Sequence, residues 1–330
     1  MNLSTKTLVL LLGLMMLSSF SQANPGGVGP SNQDMQCGGA CHGDADLNAT
    51  SPYAISLEQT STAYAGLPTS IRVEISQLDK LQTNFLGVFL LTDTSGFEDM
   101  PEDDGWATIS HSEGGSENYL EVSTSGSSFE VEWVLQAPLS TGMYTFYAAV
   151  HHGSGQQSDV PYFGISEQPL QIEVFPVPEN LPRLDHDTFL PAQRNNGEST
   201  TFVLSTIEVE HVFVEWRLQG GQIHSFEADQ VGQQQWNIFI PATLSPDIVE
   251  WRVTMQGNDI EQTTPWLQIS SLNDNIEIDN TAMYVQSISL LIFSCGFYLA
   301  LSTIIQTSNQ TSRKTVVSIE QLSDDQGGDI

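Results

Sequence analysis

Apolar positions recur at every second residue over much of the chain. Ile71, Val73 and Ile75 alternate with Arg72 and Glu74, and Val131 and Trp133 alternate with Glu130 and Glu132. A period of two marks a strand with one face in a core and the other in water. Residues 84–92 are apolar almost throughout and predict a strand buried on both faces. Met143–Val150 predicts a second long strand. Clusters of Gly, Pro, Ser and Asp separate these runs, and none carries the period of an amphipathic helix. Many short strands with turn chemistry between them predict an all-β fold built as a β-sandwich over residues 53–175.

Phe175-Pro176-Val177-Pro178 and Pro182 then interrupt the pattern. Proline cannot continue a sheet interior, so a boundary falls here. A second module is predicted over 176–270, with strands at 200–204, 211–218, 235–240 and 248–254. Trp216, Trp236, Trp251 and Trp266 are its expected core payload. Its length and alternation resemble an immunoglobulin-like or fibronectin-like sandwich.

Two further runs carry no charge. Leu8–Leu17 follows Lys6 and precedes Ser21-Gln22-Ala23. That is the three-part pattern of a signal peptide, predicted to end at Ala23. Residues 282–305 form a stretch of 24 without a charge, long enough for a transmembrane helix. Acidic residues precede it, and Arg313 and Lys314 follow it. Positive charge stays in the cytoplasm, so the N-terminus is expected outside and the C-terminus inside the cell membrane. Residues 24–52 read as an exposed linker, 271–281 as an acidic stalk, and 306–330 as a polar cytoplasmic tail.

Charge changes the picture once. The formal net charge is −31, with 9 Lys and Arg against 40 Asp and Glu. Such a surface repels nucleic acid and anionic headgroups and suits cation-rich surroundings. Of three cysteines, Cys295 falls inside the predicted span, where it is expected to act as an apolar filler. The exported part must therefore rest on a hydrophobic core rather than on disulfides. No nucleophile elbow, phosphate loop or His-Glu zinc motif is present to suggest an enzyme.

The one chemical motif is Cys37-Gly38-Gly39-Ala40-Cys41-His42. Two thiols followed directly by a histidine suit covalent haem attachment, with thioethers from Cys37 and Cys41 and His42 beneath the iron. The gap between the cysteines holds three residues instead of the usual two, and Gly38 and Gly39 loosen the backbone for it. Two other readings compete. One is a Cys37–Cys41 disulfide in a cell-surface binding or adhesion module. The other is a metal site on Cys37, Cys41 and His42, which would lack a fourth ligand.

Further residues carry a family resemblance. Gly29-Pro30, the Cys37, Cys41 and His42 motif, Tyr64 to Pro68, Gly87 to Thr92, Ser110-His111, Trp133 to Pro138 and Gly142 to Ala149 resemble the choice-of-anchor V domain family, which is reeler-like. The likeness covers about residues 28–175. It implies a β-sandwich behind a short Cys-Cys-His segment, with the C-terminal helix as anchor, and no established enzymatic activity. His111, at a recurring family position, is the first expectation for a second axial iron ligand. His151, His152, Met35 and Met100 follow it. A haem-bearing protein of this kind would exchange single electrons with an unidentified redox or surface partner.

Overall fold

The structure is a computed structural model that describes residues 29–35, 49–80, 85–153, 161–243, 247–272, 288, 290–298 and 301–302. It is all-β over its main compact unit, which ends at Asp274. The predicted signal peptide and the motif residues Cys37, Cys41 and His42 lie outside the described residues. Residues 290–298 are helical, but among the described residues no helix is long and apolar enough to cross a membrane. The span expected over 282–305 lies partly outside them.

The first half contributes β1 (Ala49–Thr50), β2 (Ala54–Gln59), β3 (Ala63–Tyr64), β4 (Pro68–Ser76), β5 (Phe85–Leu91), β6 (Ala107–His111), β7 (Tyr119–Ser123), β8 (Ser128–Gln136), β9 (Gly142–His152), β10 (Tyr162–Ile165) and β11 (Leu170–Phe175). β2, β4, β8 and β6 form one antiparallel sheet in that order. In the other sheet β9 is central. β5 and then β7 lie on one side of it, and β10 and β11 lie on the other, followed by β1 and β3 in parallel pairing.

Alternation decides which side chains meet between the sheets. Phe146, Ala148 and Val150 of β9 face Ile71, Val73 and Ile75 of β4 and Val131 and Trp133 of β8 in one core. Trp106 closes it with edge-on contacts to Tyr144 and Phe146. The strand predicted over 84–92 is β5, buried on both faces as its unbroken apolar run required.

The second half adds β12 (Arg183–Leu184), β13 (Gln193–Asn195), β14 (Thr200–Ile207), β15 (His211–Leu218), β16 (His224–Glu227), β17 (Asp229–Gly232), β18 (Gln235–Ile240), β19 (Ile248–Gly257), β20 (Ile260–Thr263) and β21 (Leu267–Leu272). The sheet β12-β14-β18-β17 and the sheet built on β13-β21-β19-β15-β16 enclose a second core around Trp236 and Trp251. Trp216, half-buried, packs against this core and stacks on His224. Trp266, also expected there, lies instead under the guanidinium groups of Arg217 and Arg252, 4.3 and 4.4 Å from its ring centre.

The two halves are joined by apolar contact. Val134 of β8, with Ile109 of β6 against it, belongs to the second core. Around this seam Ser110 Oγ donates to Gln268 Oε1 at 2.6 Å, and Gln219 Nε2 donates to the carbonyl of Ser112 at 2.7 Å. Gln136 Nε2 donates to the carbonyl of His186. Bonds of this kind hold a seam in register while the apolar side chains supply the driving force.

Candidate functional site

The segment expected to be an exposed linker is partly built into the fold. Residues 29–35 run along β7 as a strap. Ser31 exchanges both backbone hydrogen bonds with Tyr119, at 3.2 and 3.3 Å. Asn118, wholly buried, is the main clamp. Its Oδ1 accepts from the Gln33 N–H at 2.8 Å, and its Nδ2 donates to the carbonyls of Gln33 and Leu90. The Asn118 N–H donates to Asn32 Oδ1, and Glu121 Oε2 accepts from the Gly29 N–H.

Asp99 secures the far end of the strap. Its carboxylate accepts from the N–H groups of Met35 and Gly96. Its own N–H donates to Asp34 Oδ1. Burial pushes the Asp99 carboxyl up to about 6, with neighbouring Asp34 acting in the same direction against the opposing backbone donors. Hydrophobic periodicity is blind to such a strap, because polar side chains and backbone hold it. The signal in the sequence was the run Ser31-Asn32-Gln33-Asp34 ahead of a lone Met35.

Met35 packs onto the outer face of the sheet built on β9. Phe89 and Leu91 of β5, Tyr119 of β7 and Ala149 of β9 are buried on that face, and Tyr147, Phe163 and Ile165 pack beside them. Gly87 makes room there, because a Cβ at this position would collide with the Tyr119 ring, its hydroxyl 2.6 Å away. The strap thus reaches this apolar face from the β7 edge. The chain is next described at Ala49, on β1 at the opposite edge of the same sheet. In the sequence Cys37 follows Met35 by two residues.

The histidines divide between faces. His151 pairs with Gly87 and Phe163, and alternation puts it on the outer apolar face with Tyr147 and Ala149. His152 points to the other side, stacked between Tyr53 and Tyr162. Its Nε2 lies 2.8 Å from Ser51 Oγ and its Nδ1 is 2.8 Å from the carbonyl of Gly153. With the proton on Nδ1 donated to that carbonyl, Nε2 accepts from the Ser51 hydroxyl. Burial pulls the His152 pKa down, which keeps this neutral arrangement. His111 also turns inward, 2 % exposed and beside Trp133. It sits beneath the 112–117 turn, on the core side of its sheet, away from the face that carries Met35. Met100 stands at the head of a short 3-10 turn, Pro101–Asp104.

No family model matches this chain, and no curated protein does. Among solved structures the chain is similar to dimeric latent PorU from Porphyromonas gingivalis (TM-score 0.29, 9 % identity, 68 % of this chain and 20 % of that one). It is also similar to titin Ig tandem domains A164-A165 (TM-score 0.21, 8 % identity, 68 % and 100 %). A third likeness is to pullulanase type I from Bacillus subtilis str. 168 complexed with maltose (TM-score 0.20, 15 % identity, 63 % and 25 %). The chain thus spans about a fifth of the PorU chain and a quarter of the pullulanase. Likenesses at these scores carry no inference about what the chain does.

Proposed function

We propose that this is an extracytoplasmic, membrane-anchored c-type haem protein that passes single electrons to a surface partner. In this reading a reeler-like sandwich (53–175) carries the haem, an immunoglobulin-like sandwich (176–270) spaces it from the membrane, and a helix over 282–305 anchors it. Cys37, Cys41 and His42 are the residues that would hold the haem, the cysteines through thioethers and the histidine at the iron. When bound, the group supplies a one-electron couple.

The observation that supports the reading is where the strap that precedes the motif ends. A covalent macrocycle needs an apolar bed beside its attachment segment. The strap delivers the chain to the outer face bearing Phe89, Leu91, Tyr119 and Tyr147, two residues before Cys37. Asn118 and Asp99 hold the strap in place up to Met35. The aromatic residues would exclude water from one side of the ring, and a low dielectric there favours the less charged iron state. His151 shares the face, which favours it over His111 as a further residue that would hold the group.

The test is expression of the full chain with a haem-attachment system, followed by a denaturing gel stained for haem peroxidase activity and a pyridine haemochrome spectrum. A stained band that Cys37→Ser and Cys41→Ser abolish is the expected result. An unstained band whose intact mass is lower by two hydrogens refutes it, and leaves a cell-surface binding module with a Cys37–Cys41 disulfide.

A further inference from the structure

We infer that the turn after β6 is a divalent-cation site of the zinc class, built on His111 and Glu117 and completed by Glu113. The inference does not depend on haem. It starts from a buried imidazole with neither ring nitrogen in a hydrogen bond. Buried polar atoms of this kind are rare and each needs a physical reason. Glu117 Oε2 lies 3.7 Å from His111 Nε2. That is too long for a hydrogen bond and short enough for an ion pair.

Two donors held about 2.1 Å from one zinc-class ion can stand up to about 4.2 Å apart. A 3.7 Å gap corresponds to an N–metal–O angle of about 125°, close to tetrahedral. The gap therefore has the width a bridging ion needs. Mixed imidazole and carboxylate donors suit zinc, cobalt or nickel better than calcium or magnesium.

The backbone is shaped around the gap. His111 N–H donates to the Gly115 carbonyl and Gly114 N–H to the His111 carbonyl, which folds the turn tightly. A Cβ on Gly115 would collide with both Glu117 Oε2 and His111 Nε2, so only glycine leaves the cradle open. Trp133 Nε1 donates to the Glu117 carbonyl and fixes that residue from below. Glu117 remains partly exposed, which gives an ion a way in, whereas His111 supplies the buried end. Glu113 is exposed on the same turn and interacts electrostatically with His111. Among the described residues no three such side chains already surround one point. Binding therefore draws Glu113 inward as third ligand, with water as the fourth.

The site would have a mechanical consequence. The same turn docks on the second half: Gly114 abuts Ile248 and Ser270, and the Ser112 carbonyl accepts from Gln219. An ion that locks the turn also locks the seam between the two halves, and the strongly acidic surface concentrates cations around it.

The test uses the full chain carrying Cys37→Ser, Cys41→Ser, His42→Ala and Cys295→Ser, which removes every thiol, the adjacent His42 and any haem, with His211→Ala added to remove the exposed His211–Glu227 pair. Cobalt(II) is titrated in and its visible d–d bands are read, with zinc(II) then competing. One saturable site with a tetrahedral cobalt spectrum is expected. Glu117→Gln, which keeps the shape of the side chain, should weaken it about ten- to hundredfold and Glu113→Gln by less. Zinc should raise the melting temperature of the parent but not of Glu117→Gln. Absence of saturable binding, or binding that Glu117→Gln and His111→Ala leave unchanged, overturns the site. Neither result bears on the haem reading, whose cysteines are absent from this protein.

Discussion

Replacing Asn118 tests whether the strap is structural. The side chain makes three hydrogen bonds, to the Gln33 N–H, the Gln33 carbonyl and the Leu90 carbonyl, from a wholly buried position. At a net worth of about 1 kcal/mol each, Asn118→Ala should cost about 3 kcal/mol, and the stranded Leu90 carbonyl adds to that. Asn118→Asp keeps the size and the acceptor for Gln33 N–H but turns the donor toward two carbonyls into an acceptor. At neutral pH it should cost more than the alanine, because a buried carboxylate then faces two carbonyl oxygens.

The sign of the pH effect separates the two variants. The introduced carboxyl has a folded-state pKa raised above its unfolded value. Its protonated form is therefore favoured on folding, so stability is retained at low pH and lost as the pH rises through the folded pKa. Urea denaturation from pH 4 to pH 8 should show the aspartate variant losing stability on alkalinisation relative to the alanine, while hydrogen exchange at Gln33 N–H accelerates in both. Losses below about 0.5 kcal/mol in both variants, or unchanged exchange at Gln33, would refute the reasoning.

Three further outcomes follow from the same geometry. Asp99, raised from 3.8 to about 6, favours its protonated form in the folded chain, so its contribution is complete below about pH 4 and fades as the pH rises through about 6. Asp99→Asn should flatten the stability profile over that window in urea titrations, and an unchanged slope counts against it. Gly257→Ala would drive a methyl into the Glu208 carbonyl and force the backbone to move, costing about 1–3 kcal/mol in thermal denaturation. A neutral effect there would mean the β19–β20 turn yields easily. Trp266→Leu removes two cation–π contacts on the outer face of the second half and should cost about 1–2 kcal/mol, with little change if both guanidiniums are held by Glu215 and Glu250 alone.

The sequence pattern was most legible where burial alone chose the residue. β5 and β9 were visible because their sheet is apolar on both faces, and β15 and β18 matched their expected bounds, His211–Leu218 and Gln235–Ile240. β14 and β19 ran past theirs, to Ile207 and Gly257, because backbone pairing continues beyond the last alternating apolar residue. Ser271 and Leu272, expected to open a stalk, instead complete β21 beside Arg194 and Asn195. Side-chain roles were harder to read. Trp266 looks like core in a sequence and serves instead as a platform for two arginines. The chemistry of His111 depends on Glu117 and Gly115, which only the turn brings together. The strap was missed because asparagine and aspartate side chains, rather than an apolar period, decide where it lies.

The backbone ladder between Ser31 and Tyr119 has a further consequence. β7 ends its sheet, and a bare terminal strand is a template on which another copy can add its own. By occupying those donors and acceptors, the strap denies them to a neighbouring molecule. Truncation past Asp34 should therefore release a sticky margin on which crowded copies of the chain begin to cross-pair.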